Sequence, residues 1–307
     1  MVPLSSGQYA EARRTLRRGF AVVRRWGDRD EIAFALGTLG IVAHNMGHYE
    51  TAHRLYRQSL TMYRQTGNLW GTIRALSRCG LLAYTLGEVG RAKEHFEEAA
   101  LLAVIVHDLR GEAFAAAYLG LMACEQGDYG EARRQCEQAL HSCQKAGDEY
   151  GVALCLSYLG RTLGRMGDVA RAQDVLYDAL ERFRVLGDDH AVAYTLNQLG
   201  DVCRLQGQWD MARACHRKSL ATYRRLNSAG GMAEAYGYLG YLAFEQGRER
   251  EARRLFRQSF DLFAHNPASR RRVALLTRRW EKALRALGLL PPRQVLAGTS
   301  KTGELMS

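Results

Sequence analysis

The chain has 307 residues, of which 47% are hydrophobic and 24% are charged, and its formal net charge is +11. This is the composition of a folded globular protein, so wholesale disorder is excluded. No stretch approaches the roughly 18 uncharged apolar residues of a membrane-spanning helix, and the N-terminus lacks the apolar run of a signal peptide.

The first predicted element is a single helix within residues 1–27. The stretch from Gly7 to Ala12 (GQYAEA) matches the stretch from Gly127 to Ala132 (GDYGEA) at an offset of 120 residues. The later stretch begins the second helix, helix B, of a predicted two-helix repeat. Residues 1–27 are therefore predicted to be a partial first repeat with helix B only. We expect that the natural chain extends further toward the N-terminus, or that an unpaired helix caps the array.

Residues 28–267 are predicted to form six repeats of 40 residues. Their strongest signal is a glycine that recurs every 40 residues without a slip, at Gly40, Gly80, Gly120, Gly160, Gly200 and Gly240. A second glycine follows each of these by seven residues, and an alanine follows each by twelve. A fixed period of this length is the sequence signature of a repeat architecture.

Each unit is predicted to hold two helices, helix A near residues 29–46 and helix B near residues 49–65 in the first full unit, because apolar residues recur at helical spacing. The glycines that end these helices suit a left-handed cap conformation, and His107 and Asn227 stand in for glycine after two of the B helices. Gly40 and its copies lie inside helix A. We expect a close approach of helix B there, with Ala52 and its copies facing the glycine.

The unit L-G-x-x-A-x-x-x-G-x-x-x-x-A, as it stands from Leu119 to Ala132, resembles the tetratricopeptide repeat. The 40-residue period is similar to the long-repeat branch of that family, found in kinesin light chain, in adaptors with Leu-Gly-Asn repeats and in bacterial regulators. The early helix A tryptophan and the terminal proline of the family are missing. The resemblance implies an all-α, right-handed superhelical solenoid of antiparallel helix pairs.

After the sixth repeat, residues 268–290 are predicted to form a capping helix and residues 291–307 a flexible tail. The period places the glycine position of a further helix A at Trp280. A bulky residue fits there only if no further helix B packs on top, which is the situation at the end of an array.

The positive charge lies at the two ends of the chain. Residues 1–27 carry +5 and residues 264–293 carry +7, whereas residues 28–263 sum to −1. A nucleic-acid groove needs a continuous basic stripe. The distribution therefore disfavours nucleic acid as the partner, and solvated helix faces account for the terminal clusters.

The resemblance implies that the A helices line a concave groove, whose outward positions are rich in tyrosine and arginine, residue types enriched in binding hot spots. The sequence predicts a groove for a protein or extended peptide, with some preference for acidic partners. An alternative is that several of these tyrosines fill the space between adjacent A helices. The predicted groove residues are Arg74, Arg78, Phe114, Tyr118, Tyr158, Arg161, Arg165, Tyr194, Asn197, Arg204, Tyr238 and Tyr241.

One helix B breaks the surface pattern, because Leu101, Leu102 and Ile105 include apolar residues at positions that are polar in the neighbouring repeats. Exposed apolar patches often mark interfaces, so these residues predict an interface patch that could serve a homo-oligomer. The alternative is burial under the following loop.

No catalytic motif, metal-ligand spacing or cofactor motif occurs. His141 lies near Cys136 and Cys143, but burial of small residues explains the two cysteines better than a metal does. Seven cysteines without a CxxC pair favour a reduced, cytoplasmic setting. The sequence thus predicts a non-enzymatic, peptide-binding scaffold, by resemblance the sensor or interaction module of a larger bacterial regulator. The alternative is a free-standing receptor for an oligopeptide or small ligand.

Overall fold

The structure, a computed structural model, describes residues 25, 27–264, 277 and 280–290. In this part of the chain it contains helices and no strand. The helices, numbered α1 to α13, are Arg29–Asn45, Tyr49–Thr66, Leu69–Thr85, Val89–Ile105, Leu109–Gln126, Tyr129–Ala146, Glu149–Met166, Val169–Val185, Asp189–Leu205, Trp209–Arg225, Ala229–Glu245, Glu249–Ala264 and Glu281–Ala286.

The helices begin and end where the sequence supplies caps. The Asp108 side chain accepts the backbone N–H of Gly111 at 3.0 Å at the start of α5, and most other A helices begin with the same kind of contact. The backbone turns through positive φ after each helix from α1 to α11 and after α13, with φ 70° at Gly67. His107 and Asn227 adopt φ of 56° and 50°, which confirms their predicted role as substitutes for glycine.

Successive helices pack as antiparallel pairs, with helix A and helix B of each repeat forming the most extensive contacts. Each A helix also contacts the A helix of the next repeat, whereas B helices of successive repeats form no comparable packing in the described part. The array therefore curves with the A helices on its inner side. The predicted all-α solenoid of paired helices is confirmed.

The predicted close approach of helix B to the glycine inside helix A is confirmed. A Cβ atom at Gly160 would lie 2.5 Å from Cγ of Leu176, and one at Gly200 would lie 2.6 Å from Cε1 of His216. The expectation that Ala52 and its copies face the glycine needs correction. The side chain that fills this space is four residues further along helix B, because one helical turn brings it to the level of the glycine.

The C-terminal end of the array closes on Trp280, which is 2% exposed. Its ring lies 5.7 Å from the Tyr238 ring and 5.9 Å from the Phe256 ring, so it covers the end of the last full repeat. Of the predicted capping helix, Glu281–Ala286 is helical. Residues 1–24, 268–276 and 291–307 lie outside the described part, and with them most of the predicted partial repeat, the first part of the capping helix and the tail.

No helix among the described residues has a length and hydropathy that would suit a bilayer crossing.

We expect Gly160→Ala to lower the free energy of unfolding by about 1–3 kcal/mol, because the added methyl group must displace the buried Leu176 side chain. The matched control is Gly90→Ala in α4, where a Cβ would meet no atom within 4 Å. That change should leave stability unaltered or raise it by up to about 1 kcal/mol, since alanine favours the helix. Urea unfolding followed by circular dichroism measures both. Equal effects of the two changes would contradict the packing constraint.

Candidate functional site

A cavity of about 680 Å³ opens on the A-helix side of the array, between α1, α3, α5 and α7. A volume of this size lies in the range of small-ligand and peptide pockets. Its wall combines arginines with aromatic side chains that are partly exposed: Trp70, Arg74, Arg78, Arg110, Phe114 and Tyr150.

The repeat places these side chains on one surface. Trp70, Arg110 and Tyr150 occupy the same position in the first turn of three consecutive A helices. Arg74 and Phe114 follow four residues later, which is one helical turn on the same face. Because consecutive A helices contact one another, residues 40 apart in sequence become neighbours on the cavity wall.

The arginines of the cavity wall carry charges that the described residues do not neutralise. The Arg74 guanidinium lies over the Phe34 ring at 5.3 Å, a cation–π contact. Burial, together with the like charge of Arg74, lowers the pKa of Arg78 against the favourable effect of Tyr56. Neither of these side chains, nor Arg110, forms an ion pair with a carboxylate within the described ranges. The three arginines therefore contribute positive charge to the cavity wall.

Two carboxylates also line the cavity, and both are engaged with the backbone. Asp108 accepts the N–H of Gly111 and Asp148 accepts the N–H of Gly151, each at 3.0 Å. These contacts hold the carboxylates at the starts of α5 and α7 as helix caps. They do not form ion pairs with the arginines of the cavity wall.

The middle of the array contains a buried ion pair. Arg161 Nη2 donates to Glu125 Oε1 at 3.0 Å, and the two side chains are 7% and 13% exposed. The Tyr84 hydroxyl donates to the same carboxylate at 2.9 Å, and Arg161 Nη1 lies 3.3 Å from the Tyr194 hydroxyl. Burial would lower the pKa of Arg161, but Tyr194 and Glu125 outweigh it and raise the pKa. The charge of Arg161 thus has a counter-ion inside the protein, although its Nε atom is buried without a hydrogen-bond partner.

A second ion network follows toward the C-terminus. Asp201 contacts Arg165 at 3.1 Å and Arg204 at 2.8 Å, and Arg204 contacts Glu245 at 2.9 Å. Burial opposes the charge of Asp201, but the two arginines lower its pKa below the ordinary value. The Arg204 guanidinium also lies over the Tyr241 ring at 5.1 Å. These charges connect neighbouring A helices.

The structure corrects the exposure expected of four predicted groove residues. Tyr158, Arg161, Asn197 and Tyr238 are buried, because the A helices of successive repeats lie in contact and close over these positions. For Tyr158 and Tyr238 this burial agrees with the alternative interpretation, in which tyrosines fill the space between adjacent A helices. Of the other predicted groove residues, Arg74 is exposed and those that are half-buried are Arg78, Phe114, Tyr118, Arg165, Tyr194, Arg204 and Tyr241.

Asn197 contacts a buried histidine that the sequence did not single out. The Asn197 Oδ1 atom lies 3.2 Å from Nδ1 of His216, whose ring stacks on Tyr238 with centroids 5.0 Å apart. Burial lowers the pKa of His216 to about 4, with Arg204 adding to this effect and Asp201 opposing it. The imidazole is therefore neutral at neutral pH and belongs to the core.

The sequence missed three residues of the cavity wall, namely Trp70, Arg110 and Tyr150. The sequence could have identified them. Trp70 and Arg110 precede the predicted groove residues Arg74 and Phe114 by one helical turn and share their helical face, and Tyr150 occupies the same position in the next repeat. The predicted outward positions started one turn too late in helix A.

On α4, Leu101 and Ile105 are 64% and 59% exposed, whereas Leu102 is half-buried and packs against the core. The exposure of Leu101 and Ile105 argues against their burial under the following loop. The interface role of these residues stays a prediction. Within the described ranges no group of His, Cys, Asp and Glu side chains is arranged to hold a metal ion.

Comparison with known proteins places the fold. A family model described as tetratricopeptide repeat matches residues 4–65, 112–184, 156–225 and 189–264, which is more than half of the chain. No curated protein sequence matches.

Solved structures with a similar fold include a Rap protein complexed with competence and sporulation factor (TM-score 0.60, 11% identity, 91% of this chain and 87% of that chain covered). Aspartyl phosphate phosphatase F from Bacillus subtilis has a TM-score of 0.67 and 13% identity, with 84% of this chain and 66% of that chain covered. A chain of the APC/C hetero-tetramer Cut9–Hcn1 has a TM-score of 0.62 and 18% identity, with 88% and 46% covered. At identities this low, the structural similarity shows a shared fold alone.

We expect Glu125→Gln to lower the free energy of unfolding by about 3 kcal/mol, because it leaves the buried Arg161 charge without a counter-ion. The control is Glu98→Gln, which breaks the surface pair with Arg64, where the side chains are 41% and 52% exposed. That pair should contribute less than about 1 kcal/mol. Urea unfolding compares the two variants. A similar small loss in both would show that burial does not set the strength of the Arg161 pair.

The neutral His216 makes stability depend on pH. Its pKa falls from 6.5 to about 4 on folding, so the unfolded chain binds a proton in this range that the folded chain does not. Stability is therefore full above pH 6.5 and is lost as the pH falls toward 4, by about 3 kcal/mol. The change His216→Phe should flatten this slope. Phenylalanine occupies the equivalent position in two other repeats, at Phe96 and Phe256. The residual slope should come from groups such as His95, whose pKa burial also lowers.

Urea midpoints measured at several pH values between 6.5 and 4 test this dependence. An unchanged slope in His216→Phe would rule out the assignment.

Proposed function

The chain belongs to the tetratricopeptide repeat family, and from this premise we propose that it is a non-enzymatic scaffold that binds an acidic peptide segment. The helical repeat array is a protein-interaction module. The proposal adds the place and the chemistry of the interaction, namely the cavity between α1, α3, α5 and α7 with Arg74, Arg78 and Arg110 on its wall.

The state of the arginines carries the proposal. In the C-terminal half of the array, Arg161 pairs with Glu125 of a neighbouring helix, and Arg204 pairs with Asp201 of its own helix and with Glu245 of the next A helix. The cavity arginines have no carboxylate partner within the described residues, and Arg78 is half-buried. A partly desolvated cation gains most from a charged partner that arrives with the ligand, because charge-assisted hydrogen bonds are the stronger ones. The acidic preference therefore belongs to the N-terminal half of the groove.

The aromatic side chains favour a peptide as the source of the acidic group. Trp70 and Tyr150 are 53% and 38% exposed on the two sides of the arginines. Exposed aromatic rings beside arginine are typical of binding hot spots, where apolar side chains of a partner pack and exclude water. A peptide with alternating acidic and apolar residues would use both features. The second candidate, a small-ligand receptor, draws on the cavity volume alone.

The setting that we propose is the sensor or interaction part of a bacterial regulator, in the cytoplasm. The shared fold with the Rap protein that is complexed with competence and sporulation factor supports this setting. Aspartyl phosphate phosphatase F shares the fold as well, and its name describes an enzyme. For the present chain we propose binding without catalysis, since no catalytic motif was found in its sequence.

We expect the double change Arg74→Gln and Arg78→Gln to weaken binding of a fluorescein-labelled peptide of alternating Glu and Leu by about tenfold or more. The matched control removes two arginines that are exposed on B helices, Arg57→Gln and Arg217→Gln. It has the same net charge and should bind like the wild type. Fluorescence anisotropy measures the affinity. Equal affinity of both double variants would overturn the placement of the site.

Two further peptides separate the candidate functions. A peptide in which Lys replaces Glu should not compete, because the cavity wall is cationic. Affinity should rise as the Glu–Leu peptide is lengthened from a dipeptide to an octapeptide if an extended segment binds along several A helices. An affinity that is complete for the dipeptide would favour the small-ligand receptor.

A further inference from the structure

Two cysteines line the same cavity and lie next to each other. Cys143 lies in the last turn of α6 and Cys155 lies on α7, and their sulfur atoms are 4.0 Å apart. Both residues are almost fully buried from bulk solvent, yet both belong to the cavity wall. The pair therefore borders the space that a small oxidant inside the cavity would occupy.

The surroundings give the two thiols different reactivity. The hydrogen bond from Cys155 lowers the pKa of Cys143, and Arg110 on the cavity wall acts in the same direction, while burial and Asp148 oppose them. The same hydrogen bond, together with burial, raises the pKa of Cys155. Thiolates and not thiols are the nucleophiles in cysteine oxidation. Cys143 is thus suited to attack first, with Cys155 in place as the second thiol.

We propose that Cys143 and Cys155 form a dithiol modification site, which hydrogen peroxide that enters the cavity converts to a disulfide. In the first step the Cys143 thiolate attacks one peroxide oxygen, the O–O bond breaks, and the sulfenic acid forms with release of water after protonation. In the second step the Cys155 sulfur attacks the Cys143 sulfur, the S–O bond breaks, and a second water leaves. Two thiols are oxidised by two electrons and the peroxide is reduced to two water molecules.

The product would join two neighbouring repeats. Cys143 belongs to helix B of one repeat and Cys155 to helix A of the next, so the cross-link fixes α6 against α7. A disulfide needs a sulfur separation of about 2.0 Å, so the helices must approach by a small amount or the side chains must rotate. Tyr150 lies between the two cysteines in sequence. The cross-link therefore constrains the segment that carries this side chain of the cavity wall.

The other cysteines provide internal comparisons. Burial raises the pKa of the Cys79 thiol to about 11 and that of the Cys136 thiol to about 12, which keeps both protonated. Cys203 and Cys215 form a second interacting pair, in which the hydrogen bond from Cys215 lowers the pKa of Cys203 to about 7. Neither of these two lines the cavity described above. Entry through the cavity thus distinguishes the first pair.

The test is peroxide oxidation of the whole chain, followed by trapping of free thiols with iodoacetamide and peptide mapping without reduction. We expect a linked peptide pair that contains Cys143 and Cys155, an intact mass that is lower by two hydrogens, and a higher melting temperature that dithiothreitol reverses. Cys143→Ser and Cys155→Ser should each abolish these changes, and Cys79→Ser should not. Arg110→Gln should slow the oxidation severalfold, since it removes a charge that favours the Cys143 thiolate.

Circular dichroism is used to check that each variant keeps the helical content of the wild type. The peptide map of the oxidised wild type tests the proposal without any variant. A Cys203–Cys215 link in place of the expected one, a Cys136–Cys155 link, or retention of all seven free thiols would overturn the proposal. This outcome is independent of peptide binding, because the assay contains no peptide.

Discussion

The close approach of helix B to the glycine inside helix A is the constraint on which the array depends. A side chain of helix B occupies the space where any other residue of helix A would carry its Cβ, as Leu176 does at Gly160. The cost of a glycine in a helix, about 1 kcal/mol relative to alanine, is offset by the packing of that side chain. All six repeats keep this contact, and consecutive A helices also contact one another.

Contact between A helices decides which polar residues remain available. The residue that directly follows the glycine inside helix A is apolar at Ile41 and Leu81, but it is charged at Arg161 and Asp201. In the closed middle of the array those charges must find partners inside the protein, and they do so in Glu125, Arg165 and Arg204. Toward the N-terminus the A helices leave a cavity, and the arginines on its wall have no carboxylate partner within the described residues.

The sequence predicted the features that depend on a single residue and its local backbone. The period, the helix pairs and the positive φ of His107 and Asn227 follow from spacing and from the needs of a helix cap. The burial of Tyr158 and Asn197 could not be predicted in this way, because it depends on the distance between A helices of different repeats. Trp70 on the cavity wall could have been predicted from the sequence, since it lies one helical turn before Arg74 on the same face.

The arginines show why residue type alone does not identify a binding site in this chain. Arg161 and Arg78 are both on A helices and both largely withdrawn from solvent, but the pKa of Arg161 is raised and that of Arg78 is lowered. The difference comes from Glu125 and Tyr194, which contact Arg161, whereas the lowered pKa of Arg78 reflects burial without a carboxylate partner in the described part. A bound carboxylate would give Arg78 what Glu125 gives Arg161. The direction of the two pKa changes thus distinguishes an arginine with a buried carboxylate partner from one without a carboxylate partner in the described part.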